Sequence, residues 1–257
     1  MAEEKRQFPT EVIDLPSKGY FYPEGSPLSS GQVEIKYMTA KEEDILTSAN
    51  LIQKGIVLDK LLEALVVSEG VNLDDVLIGD KNAIMVASRV LAYGKDYKFE
   101  YNDPSNNEKK THTVDLSKLE HKKIDFQKYT KGKNEFLFEL PTSKKKVIFK
   151  LLTQREEKNI EAELKALRKI NKVSGIGSEI TTRLKASIIS IDGKDERQFI
   201  NNFIDNEFLS MDSFSYRANL VSITPDVNLS ETIEYDNGDL EEVAVPITAT
   251  FFWPSAL

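Results

Sequence analysis

The stretch VEIKYMTAKEEDIL, residues 33–46, resembles a later stretch of the same chain, VIFKLLTQREEKNI, residues 147–160. In each, a short run rich in β-branched residues precedes the pattern Thr-x-x-Glu-Glu, which begins at Thr39 and at Thr153. This pattern predicts a capping box, in which the threonine starts a helix and the glutamate three residues later binds the threonine backbone N–H. We therefore expect a strand followed by a helix in both places, and we interpret these glutamates as helix-start residues rather than catalytic carboxylates.

The similarity continues beyond the two caps. Each predicted helix has one apolar stripe at helical spacing, formed by Ile45, Ala49, Ile52 and Ile56 in the first copy and by Ile160, Leu164, Leu167 and Ile170 in the second. LLEALVVSEG, residues 61–70, then matches RLKASIISIDG, residues 183–193, and a further helix pair aligns Arg89 with Arg217. Both copies finish in a predicted β-hairpin, the first starting at residues 97–101 and the second at 231–235, where Asn237 and Gly238 supply the turn.

These matches predict the fold class and the domain organisation. The same order of pieces occurs twice, so we expect an α+β protein of two related lobes, each built as strand, helices and β-hairpin through internal duplication. The predicted units are an extended N-terminal arm at residues 1–30, a first lobe at 31–125 and a second lobe at 126–257. The change of lobe falls in a lysine-rich stretch with a turn signal at residues 130–134.

The arm contains DLPSKGYFYPEGSPL, residues 14–28, whose prolines exclude an α-helix and whose glycines favour tight turns. We expect an extended segment with a turn at residues 17–19. Its three adjacent aromatic residues, like those of ATFFWPSAL at residues 249–257, must pack on this chain or on a partner. Both alternatives stay open, and the candidate partner-binding residues are Leu15, Pro16, Lys18, Gly19, Tyr20, Phe21, Tyr22, Pro23, Phe251, Phe252 and Trp253.

Catalytic and metal-binding patterns are scarce in the sequence. The chain has no cysteine, and its two histidines, His112 and His121, do not match a usual metal-ligand spacing. Asp74, Asp75 and Asp80 lie close in sequence, but acidic residues at loops and helix starts account for such a group. We therefore expect a non-enzymatic protein without a catalytic residue, cofactor or metal.

Charge is distributed unevenly along the chain. The net charge of −8 argues against general binding to nucleic acid or to anionic membranes, yet residues 109–150 contain twelve lysines and five acidic residues. This basic region is a solvated surface, a binding surface for an acidic partner or, as the alternative function, a nucleic-acid-binding surface that uses its aromatic residues for base stacking. No apolar run has the length of a membrane span, and we expect neither membrane binding nor secretion.

An ordered set of motifs resembles a known family. Its members here are Leu15-Pro16-Ser17-Lys18-Gly19, Tyr22-Pro23, Val33-x-Ile35, Met38-Thr39, Glu42-Glu43, Asp74-x-x-Leu77 with Asp80, Arg89, Tyr93-Gly94-x-x-Tyr97 and the terminal Phe252-Trp253-Pro254. In this order, and mainly over residues 11–119, the sequence resembles the baseplate hub assembly proteins of T-even-type tailed bacteriophages. The resemblance implies a non-enzymatic factor or component of the central hub of the contractile-tail baseplate.

The resemblance also implies partners and a location. Other baseplate hub proteins and the tape-measure protein would be the partners, while the oligomeric state and the presence of the protein in the mature virion stay open. The expected location is the host cytoplasm during virion assembly, or the tail baseplate of the virion itself.

Overall fold

A computed structural model of the chain describes residues 9–106, 108–170, 178–247 and 249–252. Within these ranges it has an α+β fold, as the sequence predicts. The strands are β1 (Thr10–Asp14), β2 (Gln32–Lys36), β3 (Asp96–Asp103), β4 (Glu108–Asp115), β5 (Phe136–Glu139), β6 (Lys146–Phe149), β7 (Ile188–Ile191), β8 (Ser230–Glu234) and β9 (Leu240–Ala244). The helices are α1 (Ala40–Leu46), α2 (Ala49–Lys54), α3 (Val57–Leu65), α4 (Ile78–Tyr93), α5 (Gln154–Ile170), α6 (Glu179–Ser187), α7 (Arg197–Asn206) and α8 (Ser210–Ile223).

All the strand pairs are short and antiparallel. The first half contains the pair β1–β2 and the hairpin β3–β4, and the second half contains the sheet β5–β6–β7 and the hairpin β8–β9. The predicted turn at Asn237 and Gly238 joins β8 to β9, with Gly238 at a φ of 84°. β1 pairs with β2 in the register Ile13 to Val33, so this part of the predicted arm is a paired strand. The lobe boundaries at residues 30 and 125 stay a prediction.

The predicted capping box at Thr39 is confirmed, and at Thr153 the glutamate half of the predicted box is present. The Glu42 carboxylate accepts the backbone N–H of Thr39 at 2.9 Å, and the Glu156 carboxylate accepts that of Thr153 at 2.8 Å. A lysine at the end of the preceding strand or directly after it pairs with the same glutamate in both halves. Lys36, the last residue of β2, pairs with Glu42 at 2.7 Å, and Lys150, which follows β6, pairs with Glu156 at 2.8 Å. The glutamates therefore satisfy helix N-termini, as the sequence predicts.

The first predicted helix is not continuous, which corrects the expectation of one apolar stripe from Ile45 to Ile56. α1 ends at Leu46, and α2 begins at Ala49 after Ser48, whose backbone is extended. Serine favours such a helix-start position, because it competes with helical backbone hydrogen bonding inside a helix. As a result, Ile52 is 45% exposed and does not continue a buried stripe.

A buried aspartate occupies the third position of α4 and of α8. Asp80 in α4 accepts the backbone N–H of Ser17 at 2.9 Å, and Asp212 in α8 accepts those of Thr142 at 2.7 Å and Ser143 at 3.1 Å. Each bound turn continues a Leu-Pro pair, at residues 15–16 and 140–141, that follows the strand paired with β2 or β6. This correspondence agrees with the predicted duplication, which stays a prediction.

The same correspondence does not hold for the expected alignment of Arg89 with Arg217. Arg89 is buried, whereas Arg217 is exposed and bonds only to the carbonyl of Ser213 on its own helix among the described contacts. When Asp80 is placed on Asp212, the residue that corresponds to Arg89 is Val221. If the two halves are copies of one unit, the two arginines are therefore one helical turn out of register.

One apolar core extends through both halves of the chain. Phe21 from the N-terminal segment packs on Phe136, and the backbone of Pro225 lies directly against Gly79 at the start of α4. No described helix has both the length and the apolarity to cross a bilayer.

Candidate partner-binding site

The predicted turn at residues 17–19 is confirmed. Lys18 and Gly19 have φ values of 51° and 71°, and the N–H of Tyr20 binds the Ser17 carbonyl at 2.9 Å. A Cβ on Gly19 would lie 2.4 Å from the carbonyl oxygen of Ser29, so both the positive φ and the close backbone approach require glycine. The turn therefore has a fixed shape that presents the Lys18 side chain to solvent.

The buried side chain of Asp80 fixes this turn through hydrogen bonds. Its carboxylate accepts the Ser17 hydroxyl at 2.6 Å and the Tyr22 hydroxyl at 2.6 Å, and the Tyr22 hydroxyl oxygen accepts the N–H of Leu77 at 2.9 Å. Burial raises the pKa of Asp80, although the hydrogen bonds from Ser17 and Tyr22 favour its charged form. Burial, followed by the charge of Asp80, raises the pKa of Tyr22 well above its ordinary value. The network joins the N-terminal segment to α4.

Phe21 is the centre of an aromatic cluster that joins the segment to residues 126–136. Its ring centroid lies 5.1 Å from that of Phe136, 5.7 Å from that of Phe126 and 5.8 Å from that of Tyr129. Beside it, the Tyr20 hydroxyl donates to the carbonyl of Tyr129 at 3.0 Å. These rings use edge-to-face and tilted arrangements of the kind that stabilise buried aromatic groups.

The structure separates the predicted N-terminal partner-binding residues by exposure. The buried ones, which pack inside this chain, are Leu15, Pro16, Gly19, Phe21 and Tyr22. Lys18 and Pro23 are exposed and Tyr20 is half-buried, while the Lys18 ammonium lies 5.8 Å from the centre of the Phe126 ring. Only these three side chains offer surface to a partner in this conformation, and their docking role stays a prediction.

The C-terminal aromatic residues Phe251 and Phe252 are fully buried. The Phe251 ring packs edge-on to Tyr97 at 4.8 Å, and its carbonyl accepts the Arg89 Nε–H at 2.8 Å. Burial lowers the pKa of Arg89, whose other guanidinium nitrogens donate to the carbonyls of Gly94 and Asp96. This C-terminal segment is therefore fixed against α4 and β3.

Trp253, the remaining predicted partner-binding residue, lies outside the described residues. The same holds for Pro254, the last residue of the family-like motif set.

The acidic residues considered for catalysis are separated by the fold. Asp74 pairs with Lys158 at 2.7 Å and Asp75 with Arg155 at 2.8 Å, at the surface, while Asp80 is buried under the N-terminal turn. In the part of the chain that the structure describes, no three histidine, cysteine or acidic side chains are grouped as metal ligands. Asp74, Asp75 and Asp80 thus have structural partners.

The basic region at residues 109–150 is divided among several surfaces. Lys110 pairs with Asp103 at 2.9 Å and also with Asp236 of the other hairpin, and Lys145 pairs with Asp192 at 3.1 Å. Of the aromatic residues that could stack on bases, Phe136 is buried and Phe126 and Tyr129 take part in the Phe21 cluster. The rings and several lysines are therefore already engaged within the chain.

Sequence reasoning missed the role of two residues, Asp80 and Asp212. It treated Asp80 as one of three loop or helix-start acids, although its partner Ser17 is 63 positions away. A signal was present, because Leu-Pro is followed by a hydroxyl residue at residues 15–17 and again at 140–142. The recurrence of this tripeptide, together with an aspartate near the start of α4 and α8, could have identified both anchors.

Comparison with known proteins gives one family. The model of the family described as T4 bacteriophage base plate protein matches residues 11–241. No significant match was found among the curated proteins or among the solved structures.

Proposed function

Because this chain belongs to the family of T4 bacteriophage base plate proteins, we propose that it is a hub assembly factor or hub component that binds other tail proteins and catalyses no reaction. The observation that carries the proposal is the family match over residues 11–241. The family itself indicates a structural role in the virion tail. The finer proposal adds the hub, the tape-measure protein as a partner, and assembly in the host cytoplasm.

The position of the hub-like motifs in the fold supports the finer proposal. Ser17 and Tyr22 of the N-terminal motifs donate to Asp80, and Arg89 of the same helix donates to the carbonyl of Phe251, the residue directly before the C-terminal motif. Motifs far apart in sequence are thus connected through one helix, α4. This is the arrangement expected of a scaffold whose motifs maintain one shape, and the exposed Lys18 and Pro23 lie at its surface.

We also infer that the two halves are copies of one unit. Three correspondences support this inference: the matched capping patterns, the lysines Lys36 and Lys150 at the ends of β2 and β6, and the aspartates Asp80 and Asp212. A duplicated unit gives one protein two related binding faces, which increases the apparent affinity for a partner that spans both.

Affinity purification of the tagged full chain from infected cells tests the proposed function. We expect it to recover hub proteins and the tape-measure protein, identified by mass spectrometry, and to lose them late in infection if the protein leaves the finished particle. The same tagged chain produced in uninfected cells and mixed with host extract is the control. Recovery of host proteins alone, or of DNA alone, would contradict the proposal.

Nucleic-acid binding by residues 109–150 remains the alternative. It predicts binding of labelled single-stranded DNA at low salt, with an affinity that falls steeply as salt rises. Because Phe126, Tyr129 and Phe136 pack with Phe21, we expect no such binding. Binding of the labelled DNA that weakens as salt rises would favour the alternative instead, provided that K122E/K123E abolishes this binding and K60E does not.

A further inference from the structure

Helix α8 has an apolar face that is open to solvent. Met211, Phe214 and Val221 are 61%, 64% and 61% exposed and recur at the spacing of one helical face, which also contains Arg217. A groove of about 410 Å³ adjoins this face between α6 and α8. Its charged lining residues are Glu179, Arg183 and Arg217, and its apolar lining residues are Leu152, Ile180, Leu184, Tyr216, Leu220 and Val221. Single exposed apolar residues are common, but a stripe beside a groove is typical of a binding surface.

The corresponding face of α4 shows how such a surface is covered. When Asp80 is placed on Asp212, Met211, Phe214 and Val221 fall on Gly79, Asn82 and Arg89. On α4 all three positions are in contact with the chain that follows α8: Gly79 lies against the Pro225 backbone, Asn82 donates to Asp226 at 3.0 Å and Arg89 donates to Phe251.

α8 lacks such a cover among the described residues. Its counterpart α4 is covered by an extended segment of the same chain, which contributes backbone and one carboxylate, Asp226. The two faces also differ in chemistry, because Gly79 and Asn82 are replaced by the larger, apolar Met211 and Phe214. A segment of another molecule that covers α8 would have to be more apolar than residues 225–227.

Arg217 indicates that a segment covering α8 should carry a negative charge. It lies between Phe214 and Val221 on the open face and lines the groove together with Glu179, whose carboxylate pairs with Arg183 at 3.3 Å; the ion pairs of the described residues include none to Arg217. A second copy of this chain is a poor occupant, because antiparallel pairing of two α8 helices about their centres would bring the two Arg217 side chains together. An aspartate or glutamate flanked by apolar residues would satisfy both parts of the surface.

We propose that the α8 face, defined as Met211, Phe214, Arg217 and Val221, binds an apolar segment of another tail protein that carries a carboxylate opposite Arg217. This inference rests on the proposed function for the class of partner and on the proposed duplication for the covering mode. The contacts would be apolar packing on Phe214 and Val221 and one ion pair to Arg217.

Photocrosslinking of the full chain tests the proposal. p-Benzoylphenylalanine replaces Phe214, or exposed Leu240 as the control, and the crosslinked fragment from infected cells is sequenced by mass spectrometry. We expect position 214, but not 240, to give a fragment of another tail protein with an acidic residue among apolar ones. R217E should reduce the yield about tenfold, and replacing the acidic residue of that fragment with arginine should restore it.

Three outcomes would overturn the proposal: a crosslink to a second copy of this chain, a crosslink that R217E leaves unchanged, or a yield at position 214 no greater than at 240. We expect R217E to unfold at the same temperature as the parent, because Arg217 is exposed. This result would exclude a folding defect as the cause of a lower yield. Affinity purification of the same tagged chain separates the two hypotheses. If tail proteins are recovered while crosslinking fails, only this inference is wrong; if none is recovered, the proposed function fails.

Discussion

The Asp80 carboxylate accepts hydrogen bonds from the Ser17 backbone, the Ser17 hydroxyl and the Tyr22 hydroxyl within a fully buried environment. A buried carboxylate without such partners would be strongly destabilising, and each donor would in turn lose its acceptor if Asp80 were changed. The Asp80 side chain therefore links the N-terminal segment to α4, which lies about sixty residues later in the sequence.

D80N should therefore lower the free energy of unfolding by about 2–3 kcal/mol, because the amide nitrogen replaces an oxygen that accepts a hydroxyl. Urea unfolding followed by circular dichroism measures the change. The matched control is D74N, which removes a partly exposed ion pair with Lys158 and should cost about 0–1 kcal/mol. Equal losses in the two variants would show that Asp80 does not anchor the turn.

Gly79 is a second residue whose importance comes from a close contact. A Cβ at this position would lie 1.8 Å from the Pro225 carbonyl oxygen, so G79A must move the backbone at residues 225–226 away from α4. We expect a loss of about 1–3 kcal/mol, although alanine is the better helix former. M211A, at the corresponding exposed position of α8, should change stability little when both are measured by thermal unfolding. A neutral or stabilising G79A would be incompatible with this contact.

At the scale of the elements, the starts of α1 and α5 use the same device. Each combines a threonine, a glutamate three residues later and a lysine at or directly after the end of the preceding strand. Burial alone would raise the pKa of Glu42, but hydrogen bonds from Lys36 and Thr39 lower it to about 2. Burial alone would likewise raise the pKa of Glu156, but hydrogen bonds from Lys150 and Thr153 lower it.

The lowered pKa of Glu42 predicts a pH dependence of stability. The folded state holds this carboxylate ionised more strongly than the unfolded chain does, so its contribution is present above about pH 4.5 and is lost as the pH falls towards 2. E42Q should cost on the order of 2 kcal/mol at neutral pH, and the difference from the parent should shrink between about pH 5 and pH 3. Urea titrations at several pH values measure this difference.

D44N, which changes an exposed residue of the same helix, is the control for E42Q. Its effect on the free energy of unfolding should be small. If the effect of E42Q were as large at pH 3 as at pH 7, the lowered pKa would not be the source of its stabilisation.

Local signals were sufficient to predict several elements. The capping boxes, the Asn237-Gly238 hairpin and the turn at residues 17–19 each depend on residues adjacent in sequence, and all three are present in the structure. The break between α1 and α2 was missed because apolar spacing continues through Ser48, while the backbone there leaves the helical conformation. Periodicity indicates a helix but does not by itself locate its end.

At the scale of the whole molecule, the candidate site depended on contacts that the sequence could not determine. The aromatic residues of the N-terminal segment could pack internally or on a partner with equal physical justification. Their burial follows from the position of Phe126, Tyr129 and Phe136, which lie more than a hundred residues later. For the same reason, the open face of α8 becomes evident only when the covered face of α4 is known.

These long-range contacts predict that the two halves of the chain stabilise each other. Phe21 packs among residues 126–136, and α4 is in contact with Pro225 and Phe251 from the end of the second half. Separating residues 1–125 from 126–257 would expose both apolar surfaces and leave the Arg89 guanidinium without the Phe251 carbonyl. The intact chain should therefore unfold in one cooperative calorimetric transition, and the isolated fragment 1–125 should give a poorly dispersed amide NMR spectrum.

Mixing the two fragments should restore much of the dispersion, because the interface between them supplies the missing contacts. The full chain cleaved only at the exposed Asn237-Gly238 turn is the matched control and should keep a native-like spectrum, since that turn is solvent-exposed and contributes little to the shared core. A well-dispersed spectrum of 1–125 alone, with a melting temperature equal to that of the intact chain, would mean that each half folds independently. The contacts across α4 would then join two finished domains, and covering the corresponding face of α8 would likewise not be needed for folding.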